Sequence, residues 1–239
     1  MQQYDKIGGK YSKMILLDPI KEFVQRPSAV RLLGNLEGGL VLDAGCGDGI
    51  ISRMIAAQGA KVVGFDPSPH QIKSALAEEK KLGQGIEYFI ADDKSFSYPK
   101  RVDKALACMV LPYMKDERAL QDFFSKMFSL LKEGGIFSII DADKEKLLAA
   151  KEYYGRIFKP LPDGRVMTTW KMGKMKPFGT EVNYFPSRAL RECAAHAGFE
   201  EISFGWLSPN KEGVEAKGEK YWKRLREEPI WFGLVLRKP

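Results

Sequence analysis

Leu40-Val41-Leu42-Asp43-Ala44-Gly45-Cys46-Gly47-Asp48, continued by Gly49 and the apolar pair Ile50 and Ile51, decides the reading of this chain. An apolar run that stops at a cluster of glycines and gives way to helix-compatible residues predicts a strand, a tight turn and a helix, in that order. Glycines at 45, 47 and 49 let the backbone take dihedrals that other residues avoid, and bring its amides close to a ligand with no side chain in the way. The start of the following helix faces the same ligand. This is a nucleotide-binding turn without a phosphate cradle. No Gly-Lys-Ser/Thr follows, and Ile50 stands where the dinucleotide fingerprint places its third glycine. A carboxylate, Asp43, precedes the first glycine instead.

Composition bounds what surrounds this turn. At 239 residues, 44% hydrophobic and 11% aromatic, the chain can bury the core of one α/β domain with a modest appendage. The first ten residues lack the apolar core of a signal peptide, and no later apolar run reaches bilayer length, so a cytoplasmic protein without a membrane partner is expected. Cys46, Cys108 and Cys193 form no Cys-x-x-Cys pair, which argues against a disulfide framework or a zinc cluster. With His70 and His196 the only histidines, no metal is expected. The net charge of +7 raises nucleic acid as a partner, yet the charge is spread rather than concentrated.

Val41 to Gly49 resembles the first motif of the Rossmann-like, class I S-adenosylmethionine-dependent methyltransferases. The resemblance implies a doubly wound α/β fold with a seven-stranded, mostly parallel sheet, S-adenosylmethionine as cofactor and S-adenosylhomocysteine as product. It places Asp43, Gly45, Cys46 and Gly47 around the cofactor's methionine portion. Asp66 closes a predicted strand over 61–65, about twenty residues after the glycine turn, where such folds accept hydrogen bonds from ribose hydroxyls. Asp66-Pro67-Ser68-Pro69 is also a sound helix start, and one carboxylate can serve both ends. Val63 to Ile72 resembles the family's second motif, with Pro67 and Gln71 beside the adenosine; Gln71 replaces an apolar residue common in the family and makes that wall more polar.

A helix to about Leu82, a break at Gly83 and Gly85, and a third strand over 86–90 lead to Ala91-Asp92-Asp93. Asp92 matches the family acid that meets the adenine amino group, while an Asp93 in isolation reads equally well as a solvated turn. The fourth strand, 102–108, carries Asp103 in the family's acidic place and delivers Cys108, Met109 and Tyr113 to the carboxyl edge of the sheet, where open α/β folds bind ligands. Cys46 and Cys108 have no sequence-adjacent base, so packing beside the cofactor is the reading for both. Leu120, Phe123, Phe124, Met127 and Leu130 recur at helical spacing and mark a core face. Leu131-Lys132-Glu133-Gly134-Gly135 then matches the family's Leu-x-Pro-Gly-Gly, with Glu133 in place of proline.

Four regions are expected: an N-terminal helical cap over 1–38, a cofactor-binding core over 39–142, a helical and β lid over 143–180, and the remainder of the core sheet over 181–239. Tyr4 to Tyr11 resembles the usual opening of the family's cap, and Tyr11 is divided between packing and the cofactor pocket. The lid reads as a helix through Tyr154, a Pro160 to Pro162 turn and a basic aromatic segment at 170–176. Lys171, Lys174 and Lys176 with Trp170 could grip RNA. The wet face of a lid strand is the favoured reading. His196 reads as a helix-end cation and 228–236 as a last, antiparallel strand. The function expected is methyl transfer to nitrogen or oxygen of a small, heterocyclic or natural-product acceptor, with an RNA methyltransferase and a non-enzymatic cofactor-binding protein as alternatives. Tyr11, Tyr113 and Tyr184 are the candidates for a general base. A homodimer is the candidate assembly.

Overall fold

The computed structural model of the chain describes residues 18–171, 173 and 176–239. The first predicted cap helix and Tyr11 lie outside them. A helical segment enters through a π-turn at Lys21–Gln25 and continues as α1 (Arg26–Leu32), with Pro27 in its first turn, where a missing backbone donor costs nothing. From there the chain alternates strand and helix: β1 (Leu40–Ala44), α2 (Ile50–Ala56), β2 (Lys61–Asp66), α3 (Pro69–Leu82), β3 (Glu87–Ile90), β4 (Val102–Cys108), α4 (Glu117–Leu130) and β5 (Leu131–Ala142).

Local chemistry sets these boundaries. The Ser68 hydroxyl accepts from the Gln71 amide at the start of α3, Pro69 occupies the first turn, and Gly83 ends the helix in the left-handed region at φ 63°. Asp116 caps α4 by accepting from the Ala119 amide at 2.8 Å. The α4 stripe read from spacing is buried in full.

Seven strands form one sheet in the order β10-β11-β5-β4-β1-β2-β3, where β10 is Glu200–Trp206 and β11 is Trp231–Arg237. β1 pairs parallel with β2 and β4, β2 with β3 and β4 with β5, while β11 runs antiparallel to both β5 and β10. This is the expected doubly wound, mostly parallel sheet. Successive strand residues serve opposite faces: Val41 and Val62 pack with the N-terminal helical segment, and Leu42 and Val63 with α4. The chain leaves β1 toward β2 and β3 and later returns to place β4 on the other side of β1. That reversal opens a crevice at the carboxyl ends of β1 and β4, the usual ligand position in such sheets.

The region after β5 corrects the sequence reading. The expected helix through Tyr154 is only α5 (Lys144–Ala150), and the chain turns at Lys151 (φ 58°) into a four-stranded antiparallel sheet of β6 (Glu152–Tyr153), β7 (Arg156–Pro160), β8 (Val166–Trp170) and β9 (Phe178–Val182). Tertiary contacts override helical propensity here. Tyr153 is fully buried, and its hydroxyl donates to carbonyl oxygens at Arg224 and Glu228. Arg156 and Asp18 form a buried ion pair that ties this sheet to the N-terminal segment, and the guanidinium lies 5.1 Å from the centre of the Trp231 ring. Helix α6 (Ser187–His196) follows, and α7 (Lys211–Lys217) and α8 (Glu219–Glu227) fill a stretch to which the sequence reading assigned no element. Trp222 and Leu225 are the buried side chains of α8, whose other residues are charged apart from Tyr221. No helix among the described residues is long and apolar enough to cross a membrane.

Candidate active site

The glycine turn is held from behind by β2. The amides of Gly45 and Cys46 both donate to the Phe65 carbonyl, at 2.8 and 3.0 Å. Gly45 has φ 72°, and a Cβ there would stand 2.6 Å from a methyl of Val110, so no larger residue fits without a shift. Gly47, at φ 56°, has nothing within 4 Å of the corresponding position. The turn therefore packs tightly at its first glycine and leaves open space at its second.

Asp66 links the turn to the next helix. One carboxylate oxygen accepts from the Gly47 amide at 3.0 Å and the other from the Ser68 amide at 2.9 Å. Asp43 lies deeper: it is 2% exposed, and the Ser52 hydroxyl donates to it at 2.6 Å. Burial pushes its carboxyl up to about 6, reinforced by the negative charges of Asp66 and Asp48 and opposed by the Ser52 hydrogen bond. Asp92 sits in a turn whose Ser95 hydroxyl and amide both donate to its carboxylate, which holds it below the usual carboxylate range. Partial burial moves neighbouring Asp93 the other way.

The glycine turn, Asp66, Asp92 and Asp93 border a cavity of about 450 Å³ at the carboxyl ends of β1, β2 and β4. Gly45, Gly47, Asp66, Pro67, Gln71, Asp92, Asp93, Cys108 and Met109 all line it. Two recesses adjoin. One of about 110 Å³ runs under the turn past Cys46 and receives Lys21, Gln25 and Arg26. The other, about 40 Å³, lies between the two sheets among Arg156, Phe158, Trp170, Thr180, Tyr184 and Trp231. Lys21, Met109 and Tyr113 belong to both this small recess and the main cavity. Met109 adopts φ 58°, a conformation costly for a non-glycine residue and typical of ligand sites, and its amide is fixed by the Ile140 carbonyl at 2.8 Å.

A family model described as a methyltransferase domain matches residues 18–203, more than half of the chain. The chain belongs to the methyltransferase domain family. A ubiquinone biosynthesis O-methyltransferase of Pelagibacter ubique is 35% identical over 52% of this chain and 49% of its own length, and one of Rhizobium etli is 26% identical over 65% and 66%. The chain thus spans about half to two thirds of the length of these curated relatives. An S-adenosylmethionine-dependent methyltransferase from Clostridium acetobutylicum superposes with a TM-score of 0.68 at 16% identity, covering 98% of both chains. The methyltransferase CcbJ from Streptomyces caelestis superposes with a TM-score of 0.69 at 16% identity, over 92% of this chain and 96% of that one. Both share the fold of this chain.

Asp43 is buried against Ser52 of α2 and does not line the main cavity, and Cys46 borders the recess under the turn. Burial raises the thiols of Cys46 and Cys108, the latter to about 12, so both are thiols rather than thiolate nucleophiles at neutral pH. Tyr113 stands 44% exposed at the seam between the main cavity and the small recess; Tyr184 is buried in that recess. Among the described residues no group of three or more His, Cys, Asp or Glu side chains could hold a metal ion. Lys21, Gln25, Arg26, Arg156 and Thr180 escaped the sequence reading. The nearest signal was the clustering of Lys21, Gln25 and Arg26 on a segment read as a cap; nothing in sequence joins Asp18 to Arg156.

Proposed function

We propose that this methyltransferase carries a methyl group from S-adenosylmethionine to an oxygen or nitrogen of a small acceptor, leaving S-adenosylhomocysteine. The observation that carries the reading is Asp66, a carboxylate at the end of β2 that borders a cavity of about 450 Å³ beside an open glycine turn. That volume falls in the range of small-molecule and cofactor sites, roughly 300–1,000 Å³. The donors also fit the cofactor's parts. Asp66 would accept the ribose hydroxyls, Asp92 and Asp93 border the adenine end, and Lys21 and Arg26 stand in the recess under the turn where a methionine carboxylate would lie.

When bound, the cofactor supplies an electrophilic methyl on a sulfonium. The chain's own contribution would be placement: the sheet edge, the turn and the antiparallel sheet β6–β9 would bring two reactants side by side. We take β6–β9 and the N-terminal segment as the lid over them. Tyr113 lines both the main cavity and the small recess, and as a phenolate it would take up the proton that a hydroxyl acceptor gives up on methylation, leaving the neutral phenol. The small, aromatic recess favours a small acceptor over RNA, and the O-methyltransferase names of the curated relatives favour oxygen. The test is S-adenosylhomocysteine release from S-adenosylmethionine with a panel of phenols and aromatic amines, beside transfer RNA. Release with small acceptors alone is the expected result; release with RNA alone would overturn the small-acceptor reading.

A further inference from the structure

The small recess between the two sheets carries more information than its size suggests. Thr180 is 2% exposed, lines the recess, and its hydroxyl has no hydrogen-bond partner among the described residues. An orphan buried hydroxyl costs stability unless something arrives to satisfy it. Beside it are Gln25, buried, and Arg156, whose guanidinium donates to Asp18 and to the Tyr154 carbonyl and still carries further N–H groups on the same planar fork. Lys21 stands at the junction with the main cavity. Among the described residues Lys21 and Arg156 are the cations that line this recess and no carboxylate lines it, the Asp18 carboxylate paired with Arg156 lying outside the lining. Its walls are rings: Phe158, Trp170, Tyr184 and Trp231.

Size narrows the occupant. About 40 Å³ accommodates roughly three water-sized groups, since one needs about 10–15 Å³ by this measure. A whole acceptor does not fit, but a carboxylate on the edge of a ring does. We propose that this recess is the anchoring subsite of the methyl acceptor and that the acceptor is a planar aromatic carboxylate. Its carboxylate receives the Thr180 hydroxyl and the charge of Arg156 and Lys21, and the near edge of its ring meets the aromatic walls. The rest of the molecule crosses the seam at Met109 and Tyr113 toward the main cavity. Thr180 is then a specificity-determining residue. The inference rests on the methyltransferase reading above, which supplies the cofactor in the main cavity. The recess under the glycine turn, with Arg26, is left to the cofactor's own carboxylate.

Benzoate, benzamide and cyclohexanecarboxylate test the inference by titration into the full chain with and without saturating S-adenosylhomocysteine, read by tryptophan fluorescence. Calorimetry with S-adenosylhomocysteine comes first, and absence of that binding would count against the methyltransferase reading rather than against the subsite. Benzoate should bind about tenfold more tightly than neutral benzamide, as a charge-assisted hydrogen bond exceeds a neutral one, and more tightly than the non-planar carboxylate. Thr180→Val, which keeps shape and removes the orphan hydroxyl, should weaken benzoate about threefold to tenfold, leave S-adenosylhomocysteine affinity unchanged and melt no lower than the wild type. Equal binding of benzoate and benzamide, unchanged benzoate binding by Thr180→Val, or competition between benzoate and S-adenosylhomocysteine would each overturn the proposal.

Discussion

Removing the Asp66 carboxylate should separate the fold from the cofactor site. A carboxylate has about four acceptor positions, so it can hold the Gly47 and Ser68 amides and a ribose diol together. A hydrogen bond to a charged group contributes about 1.5–3 kcal/mol, equivalent to roughly 10- to 150-fold in affinity. Asp66→Ala should therefore weaken S-adenosylhomocysteine by at least about tenfold. The turn amides lose an acceptor too, but they are only part-buried and water can replace it, so the melting cost should stay near 1–2 kcal/mol, about 2–8 °C for a chain of this size. Asp66→Asn, with one carbonyl oxygen and no charge, should fall between in affinity. Calorimetry paired with thermal melting reads both quantities. A folded Asp66→Ala variant that binds S-adenosylhomocysteine like the wild type would refute the ribose assignment.

Other outcomes follow from groups away from the ribose. Asp141 is 3% exposed, one of its oxygens has no partner among the described residues, and burial pushes its carboxyl up to about 8. Between pH 4 and 8 the unfolded chain releases this proton while the folded chain keeps it, so stability should fall as pH rises, by up to about 1.4 kcal/mol per unit. Denaturation of Asp141→Asn should come closest to the wild type below about pH 4 and exceed it increasingly toward pH 8; parallel curves would contradict this. Arg156→Met strands the fully buried Asp18 carboxylate and should cost about 3–5 kcal/mol, with part recovered in Asp18→Asn/Arg156→Met; an unchanged melting temperature would remove the pair as the tie between sheet and cap. Gly45→Ala forces a Cβ to within 2.6 Å of Val110 at φ 72° and should lower both melting temperature and cofactor affinity, whereas Gly47→Ala, at φ 56° but with nothing within 4 Å, carries the backbone strain alone and should lower the melting temperature less.

The parts of this molecule that were legible in sequence are those whose causes are local. Glycines at a strand end, Ser68 before Pro69, Asp116 before an apolar stripe and Gly83 after one each act within a few residues, and their elements formed where expected. The main cavity was legible for a related reason: topology carries the ends of β1, β2 and β4 to one crevice, so residues at those ends meet whatever their separation. The small recess obeys neither rule. It needs Thr180 opposite Thr168 in the β8–β9 register, Arg156 on β7, and Asp18 lying 138 residues earlier in the chain. Tyr154 shows the same limit, since Lys144 to Tyr154 is helix-compatible and the burial of Tyr153 decides otherwise.

One measurement bears most directly on the central claim: calorimetric titration of the wild-type chain with S-adenosylhomocysteine and, under identical conditions, with NAD. The glycine turn, Ile50 in place of a third glycine and the recess holding Lys21 and Arg26 predict one-site binding of S-adenosylhomocysteine and no heat with NAD. Binding of NAD with silence toward S-adenosylhomocysteine would contradict the account.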